Sequence, residues 1–295
     1  MTKRTVANNF LYYIFCGFSG AVTSLIVWLF LKLMGLGIGL VWDTIPSNFD
    51  FKFYPIIVCT AGGIILGIWQ KLTNAVPDEL DEVMKKVKKD KFYPYNKVLL
   101  LCISALLPLV FGGSLGPEAG LTGVIVGLCY WAGSHMKDAK SKIPELMQIG
   151  ISATLSAVFY APLFGLASVN EERLDSEEKP TDIRSTKLIS NIIAVLFAAG
   201  TLFLLNSIFG GSMGLPRLGG YNITNFERLW GIPLALFGAV CGFLFIISSK
   251  IFGKFFALIQ GKLGIIISTT LGGIILGVMA VSYTHLRAHE TGAYL

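Results

Sequence analysis

The sequence predicts an all-α membrane protein that combines long spanning helices with short, broken ones. Of its 295 residues, 54% are hydrophobic and only 14% are charged, whereas a soluble protein carries about 25% charged residues. Five apolar stretches are close to or above the about 20 residues that a helix needs to cross a bilayer. Four more, between 98 and 170, are shorter and are interrupted by Gly, Pro or Ser.

The five predicted spans are joined by loops of unequal charge. Loop 71–97 contains seven lysines and loop 250–262 contains three, whereas loop 35–52 contains one. Because lysine-rich loops stay in the cytoplasm, we expect a multi-pass protein of the inner cell membrane with its N-terminus and both lysine-rich loops inside. The predicted spans are 9–34, 53–70, 187–208, 229–249 and 261–281.

The charge of the chain fits a membrane surface. The net charge of +6 comes from a few polar loops, and it indicates an anionic lipid leaflet nearby and no nucleic-acid partner. Residues 78–91, DELDEVMKKVKKDK, predict an amphipathic cytoplasmic helix, because the acidic start and the lysine-rich end both suit the helix dipole. We interpret it as a solvated connector, with specific lipid binding as the alternative.

The four short apolar segments predict broken or re-entrant helices. Such segments survive at membrane depth only when protein packs around them or when they line a watery cavity. This organisation is typical of a channel or a transporter. The segments are 98–110, 118–133, 146–159 and 162–170.

The cysteines predict no covalent or metal framework. Each lies inside an apolar run, and none belongs to a CxxC pair. We therefore expect buried free thiols, with no disulfide, no metal site and no cofactor. They are Cys16, Cys59, Cys102, Cys129 and Cys241.

A glycine-rich stretch, FGGSLGPEAGLTG at 111–123, interrupts the apolar pattern. Pro117 suits the first turn of a helix, where its missing N–H is not needed. Gly113 and Gly116 let the backbone approach a ligand closely, and Ser114 adds a hydroxyl donor. Free N–H groups at the positive end of a helix form an anion site. The alternative is a turn of small residues between tightly packed helices.

Two motifs resemble those of the CLC family of chloride channels and proton–chloride exchangers. GSLGP at 113–117 is similar to the family's G-[KR]-E-G-P motif at the start of an anion-facing helix. AVFYAPLFGLASVNEER at 157–173 is similar to its A-A-F-x-A-P-L-x-G…E-E segment. By pattern the resemblance extends over about 9–280. It implies an inverted-repeat fold, chloride or another small anion as substrate, and a homodimer in the lipid bilayer.

One position of the first motif differs from the family pattern. Leu115 stands where the family keeps a gating glutamate, which implies an uncoupled anion path. Glu118 is a candidate for a displaced gate or proton acceptor, because an ionisable residue at membrane depth is a functional candidate. Its alternative role is an acidic first-turn residue stabilised by the helix dipole. The implied path is lined by Gly113, Ser114, Leu115, Gly116 and Pro117.

Two further positions are carried over from the family. In TNAVP at 73–77, Asn74 stands where the family has an anion-coordinating serine, and its amide can still donate a hydrogen bond. Glu172 stands where the exchangers keep an internal proton-handling glutamate. The alternative for Glu172 is an exposed acidic residue at a cytoplasmic helix end. The family's G-x-F-x-P helix start and late tyrosine are missing from this sequence.

We expect a single transmembrane domain over 1–280, with a first repeat at about 9–208 and the start of a second at about 229–280. The string VSYTHLRAHET at 281–291 resembles a translated sequencing adaptor. We therefore interpret 281–295 as a non-native tail, set aside His285 and His289 as metal ligands, and expect the natural protein to continue.

Together these features predict transport of chloride or another anion, uncoupled from protons because of Leu115. The alternative is a proton-coupled secondary transporter of another anion or solute on the same scaffold. An enzyme is disfavoured, because the sequence has no HExxH or GxSxG motif and no base is apparent for Ser114.

Overall fold

The computed structural model describes residues 3–48, 51–78, 82–83, 85–86, 96–113, 116–135, 143–167, 183–210 and 225–292. Every regular element within these ranges is helical. The longer helices are α1 Lys3–Ile38, α2 Tyr54–Thr73, α3 Val98–Val110, α4 Pro117–His135, α5 Ile143–Val158, α6 Ile183–Phe209, α7 Asn225–Leu263 and α8 Ile265–Gly292. A π-helix, Gly39–Thr44, and a 3-10 turn, Pro46–Asn48, follow α1, and residues 162–167 are also helical.

The predicted all-α membrane fold is confirmed. Five helices, α1, α2, α6, α7 and α8, contain stretches long and apolar enough to cross a membrane, and these correspond to the five predicted spans. Two apolar helices are shorter, α3 and α5, and they match the predicted broken segments 98–110 and 146–159. The segment 118–133 forms most of α4, and 162–170 is helical as far as its described residues reach.

The predicted loop 250–262 is wrong. Helix α7 continues through Leu263, and Gly264, with φ +87°, separates it from α8. Lysine is a good helix former, so Lys250 and Lys254 marked the end of an apolar stretch without ending the helix. The proposed tail falls within α8 as far as Gly292, and its origin stays a prediction.

Most of the predicted cytoplasmic helix 78–91 lies outside the described residues. Glu82, Val83, Lys85 and Lys86 are helical, whereas Asp78 precedes the helix. The Lys86 ammonium and the Asp78 carboxylate form an ion pair, with Nζ and Oδ2 2.6 Å apart. The pair ties the start of this segment to its second turn.

The core lies around α5, which packs against α1, α4 and α6. Its residues from Leu146 to Ala157 are buried except Gln148. The buried hydroxyls of this helix donate to backbone carbonyls, for example Thr154 to Gly150 at 2.7 Å and Ser152 to Gly165 at 2.8 Å. A buried polar group costs free energy only when it lacks such a partner, so α5 can carry hydroxyl side chains inside the bundle.

Helices α2 and α8 approach each other through glycines. A Cβ added at any of four positions would collide with the facing backbone or side chain: Gly63, Gly67, Gly273 and Gly277. GxxxG spacing brings helix backbones together in lipid. Both helices contain the same hexapeptide, GGIILG, at 62–67 and 272–277. This internal repeat is a signal for a related pair of helices that motif comparison alone did not reveal.

Helix α7 lies at the edge of the described structure and packs mainly against α8. Its apolar side chains from Leu229 to Phe255 are exposed. The prediction that all five cysteines are buried is therefore wrong for Cys241, which lies on this helix. Cys102 is half-buried, the other three are buried, and all five are free thiols.

Candidate functional site

The candidate site is the turn between α3 and α4. Gly112 follows the end of α3 in a left-handed conformation, φ +85°, which side-chain-bearing residues rarely adopt. The N–H of Phe111 donates to the carbonyl of Leu107 at 3.1 Å, and that of Gly113 donates to Pro108 at 2.7 Å. These bonds cap α3. Helix α4 then begins at Pro117, as the sequence predicted.

Trp42 clamps this turn from the π-helix after α1. Its indole N–H donates to the carbonyl oxygen of Val110 at 2.9 Å. A Cβ added to Gly112 would lie 2.8 Å from Cζ2 of the Trp42 ring, so the ring packs closely against one side of this exposed glycine. Tyr54 meets the Trp42 ring edge-on, with centroids 6.5 Å apart. The sequence did not reveal Trp42 as a site residue, because no local pattern indicates a partner 68 residues away.

The Glu118 carboxylate folds back over Gly116. Both carboxylate oxygens occupy the space that a Cβ at Gly116 would take. Glu118 is half-buried, and its carboxylate makes no hydrogen bond or ion pair with another described residue. The acidic group therefore lies at the start of α4, where the sequence placed a candidate gate.

The first turn of α4 presents backbone donors to the same place. The N–H groups at the start of an α-helix have no acceptor within the helix. Pro117 has no N–H, so Gly116, Glu118 and Ala119 supply these donors. The helix dipole adds partial positive charge. This arrangement suits one negative group at a time, either the carboxylate or a bound anion.

Gly113 differs from the expectation. Its N–H is already bonded to Pro108, so it is not a free donor, and its position along an anion path stays a prediction. Ser114 and Leu115 lie outside the described residues. Glu172 also lies outside them. The roles proposed for these three side chains therefore stay predictions.

Packing between α3 and α4 holds the turn in place. Gly120 faces Ala105 of α3 so closely that a Cβ at Gly120 would collide with it. The next two residues of α4, Leu121 and Thr122, are fully buried. The Thr122 hydroxyl donates to the Glu118 carbonyl at 2.6 Å. The start of α4 is therefore held by its neighbours, and Glu118 is the acidic residue of its first turn.

Asn74 lies near α3 but away from the turn. It ends α2 in a left-handed conformation, φ 50°, with its backbone N–H donated to Gln70 and its side chain exposed. The adjacent Ala75 carbonyl accepts a bond from the Ser104 hydroxyl at 2.8 Å. Ser104 lies six residues before the end of α3, or about 9 Å along its axis. The structure places Asn74 beside the helix that leads to the turn.

The fold and the turn define a class, the multi-pass membrane proteins with broken helices, to which channels and transporters belong. The sequence profile of the voltage gated chloride channel family matches residues 61–293. Because that match covers most of the chain, the protein belongs to the CLC family of voltage-gated chloride channels. The resemblance drawn from the two motifs is confirmed.

One relative is the Escherichia coli protein YfeO, which is provisionally named an ion-transport protein. It is 23% identical over 271 residues, which cover 89% of this chain. The chain spans 61% of the length of that relative.

Proposed function

We propose that the protein transports chloride or another small anion across the inner cell membrane, with the anion held at the start of α4. The observation that carries this proposal is the Glu118 carboxylate, which folds over Gly116 at the positive end of the helix. A negative group of the chain itself takes the place that suits an anion. Membership of the CLC family supports the class of substrate.

In this mechanism Glu118 is a displaced gate. While its carboxylate covers Gly116, it shields the free N–H groups of the first turn from an entering anion. Protonation removes its charge. The side chain then moves away from the helix end, and the anion takes its place. Gly113, Ser114, Leu115, Gly116 and Pro117 line the path, with Asn74 on the cytoplasmic side. Glu172 is the candidate for proton handling at the inner end.

The test is anion efflux from liposomes that contain the full-length protein. We expect chloride efflux to rise as the pH falls, because protonated Glu118 no longer competes for the site. Glu118→Gln removes that pH dependence and raises efflux at neutral pH by about 5- to 30-fold, because a charge at a helix start is worth about 1–2 kcal/mol.

Glu145→Gln is the matched control, because Glu145 also lies in the first turn of a helix after a proline. It should leave the pH dependence unchanged. If neither chloride, fluoride nor nitrate moves in any variant, the proposal of anion transport is overturned.

The position of the ionisable Glu118 carboxylate at the start of α4 also supports a second candidate function, proton-coupled transport of an anion or another solute. A coupled transporter moves protons into the liposome against their gradient while the anion leaves, and Glu118→Gln abolishes that proton movement. A passive path moves the anion alone. A pH-sensitive dye inside the liposomes distinguishes the two.

We propose three further features on the same grounds. The lysines of loop 71–97 support a cytoplasmic N-terminus, and the family supports a homodimer that acts without enzymatic chemistry or a cofactor. The repeated hexapeptide in α2 and α8 supports an internal repeat whose second copy begins at about 229.

A further inference from the structure

A cavity lies away from the α3–α4 turn, between α5, the turn that follows it and the last turns of α6. Its volume is about 380 Å³. Four of its lining residues carry hydroxyl or amide groups, namely Ser156, Tyr160, Asn206 and Ser207. The others are apolar, namely Pro162, Ala199, Leu202 and Phe203. The anion site does not use any of these residues.

A relay of hydrogen bonds forms one wall of the cavity. The Trp28 indole N–H donates to Asn206 Oδ1 at 3.1 Å, and Asn206 Nδ2 donates to the Tyr160 hydroxyl oxygen at 2.8 Å. The Tyr160 hydroxyl accepts in this bond, so its own proton is available for another group. Tyr160 also has φ +52°, which is rare for a bulky residue. Such backbone strain concentrates at ligand sites.

A positive charge lies next to this wall. The Lys32 ammonium donates to the Gly210 carbonyl at 2.9 Å and lies 5.6 Å from the centroid of the Trp28 ring. Lys32 forms no ion pair with any residue that the structure describes. Gly210 directly follows the spanning stretch Leu188–Phe209. Lys32 therefore lies level with the end of the apolar span of α6, while the apolar stretch of its own helix, Tyr12–Thr44, continues beyond it.

Charge, hydroxyl groups and apolar surface follow one another with depth along α6. Asn206 lies four residues before Gly210, or about 6 Å along the axis, and Ala199 lies about 10 Å deeper. A glycerophospholipid has the same order of groups: a phosphate, then ester carbonyls, then acyl chains. Phe203, which is 73% exposed, continues the apolar side of the cavity toward the membrane.

We propose that this cavity binds one phospholipid of the surrounding bilayer. Lys32 pairs with the phosphate, the Tyr160 hydroxyl donates to an ester carbonyl, and an acyl chain lies against Leu202 and Phe203. The complementary charge of Lys32 selects a phospholipid over an uncharged lipid. This site is independent of anion transport, so either can fail without the other.

Native mass spectrometry of the full chain in detergent tests the proposal. Phosphatidylglycerol is titrated, and diacylglycerol with the same acyl chains and soluble glycerol phosphate are compared with it. We expect one saturable phosphatidylglycerol, weaker binding of diacylglycerol and no binding of glycerol phosphate. Lys32→Gln should weaken phosphatidylglycerol binding by about fivefold and leave diacylglycerol binding unchanged. Tyr160→Phe should weaken both lipids by a similar factor.

Lys97→Gln is the matched control, because Lys97 also donates to a backbone carbonyl at a helix end, that of Thr73 at 3.3 Å. It should bind phosphatidylglycerol as the unmodified chain does. Unsaturable binding would overturn the proposal, and so would an unchanged phosphatidylglycerol affinity in a Lys32→Gln variant that unfolds at the same temperature as the unmodified chain. Binding of phosphatidylglycerol to the monomer but not to the dimer would also overturn the proposal, because a second copy of the chain would then occupy the cavity.

Discussion

Two helices of this chain carry the same dipeptide in their first turn but place its acidic side chain differently. Helix α4 begins with Pro117 and Glu118, and the first turn of α5 contains Pro144 and Glu145. Both carboxylates suit the positive end of their helix, so the dipole does not distinguish them. The Glu118 carboxylate lies over Gly116, whereas Glu145 lies beside the buried hydroxyl of Tyr12 on α1.

The residue before the proline makes the difference. Gly116 has no side chain, so the Glu118 carboxylate can lie across the backbone at the helix start. Ile143 fills the corresponding place before Pro144 and packs against Gly133 of α4. A first-turn carboxylate can therefore lie across the start of its helix where a glycine leaves that space open, as Gly116 does before Pro117.

Breaking the turn in front of α4 should have the largest effect. Gly112→Ala forces a side chain into a left-handed conformation and against the Trp42 ring. We expect a loss of about 3 kcal/mol in the free energy of unfolding, measured by thermal unfolding in detergent.

Gly210→Ala is the control for this change. Gly210 also has a positive φ, +64°, but a Cβ there would meet no atom within 4 Å. We expect a loss of about 1 kcal/mol from the conformation alone. Equal losses in the two variants would show that the Trp42 contact does not tighten the turn.

Removing one hydrogen bond from the turn should have a smaller effect on stability than Gly112→Ala. Trp42→Phe keeps an aromatic ring against Gly112 but loses the indole bond to Val110. We expect a loss of about 1 kcal/mol in stability. The control is Trp131→Phe, because the Trp131 ring is exposed near the other end of α4. A Trp42→Phe variant as stable as the control would show that the bond does not hold the turn.

The smallest effect is expected when the start of α4 is made more like that of α5. Gly116→Ala places a methyl group where the Glu118 carboxylate lies, so the carboxylate must move away. We expect neutral-pH anion efflux to rise by about two- to fivefold, because the charge loses part of its interaction with the helix end.

Gly231→Ala is the control, since its Cβ would meet no atom within 4 Å. Efflux should not change in this variant. If Gly116→Ala leaves efflux and its pH dependence as they are, the folded-back carboxylate has no gating role.

The sequence predicted the helices well wherever local signals mark both ends. The segment 98–110 coincides with α3, because Lys97 precedes its apolar run and a glycine turn follows it. The loop at 250–262 was wrong because lysine ends an apolar stretch but permits a helix.

At the site, the start of α4 at Pro117 and the candidate Glu118 came from the sequence. The position of the carboxylate over Gly116 did not, because a rotamer depends on the space that packing leaves. Trp42 was missed for a related reason. Its contact with Val110 depends on how the π-helix after α1 lies across the end of α3, and neither segment carries a pattern that indicates the other.

Composition and motifs were enough to predict that the chain is helical, membrane-embedded and a relative of the CLC proteins. Apolar runs of spanning length and helical backbone bonding follow from local composition, since every polar backbone group must be satisfied within the bilayer. Which polar atoms meet, such as those of Trp42 with Val110 and of Lys32 with Gly210, became known from the packing of the helices. Those contacts join segments far apart in the chain, and their geometry depends on how whole helices pack.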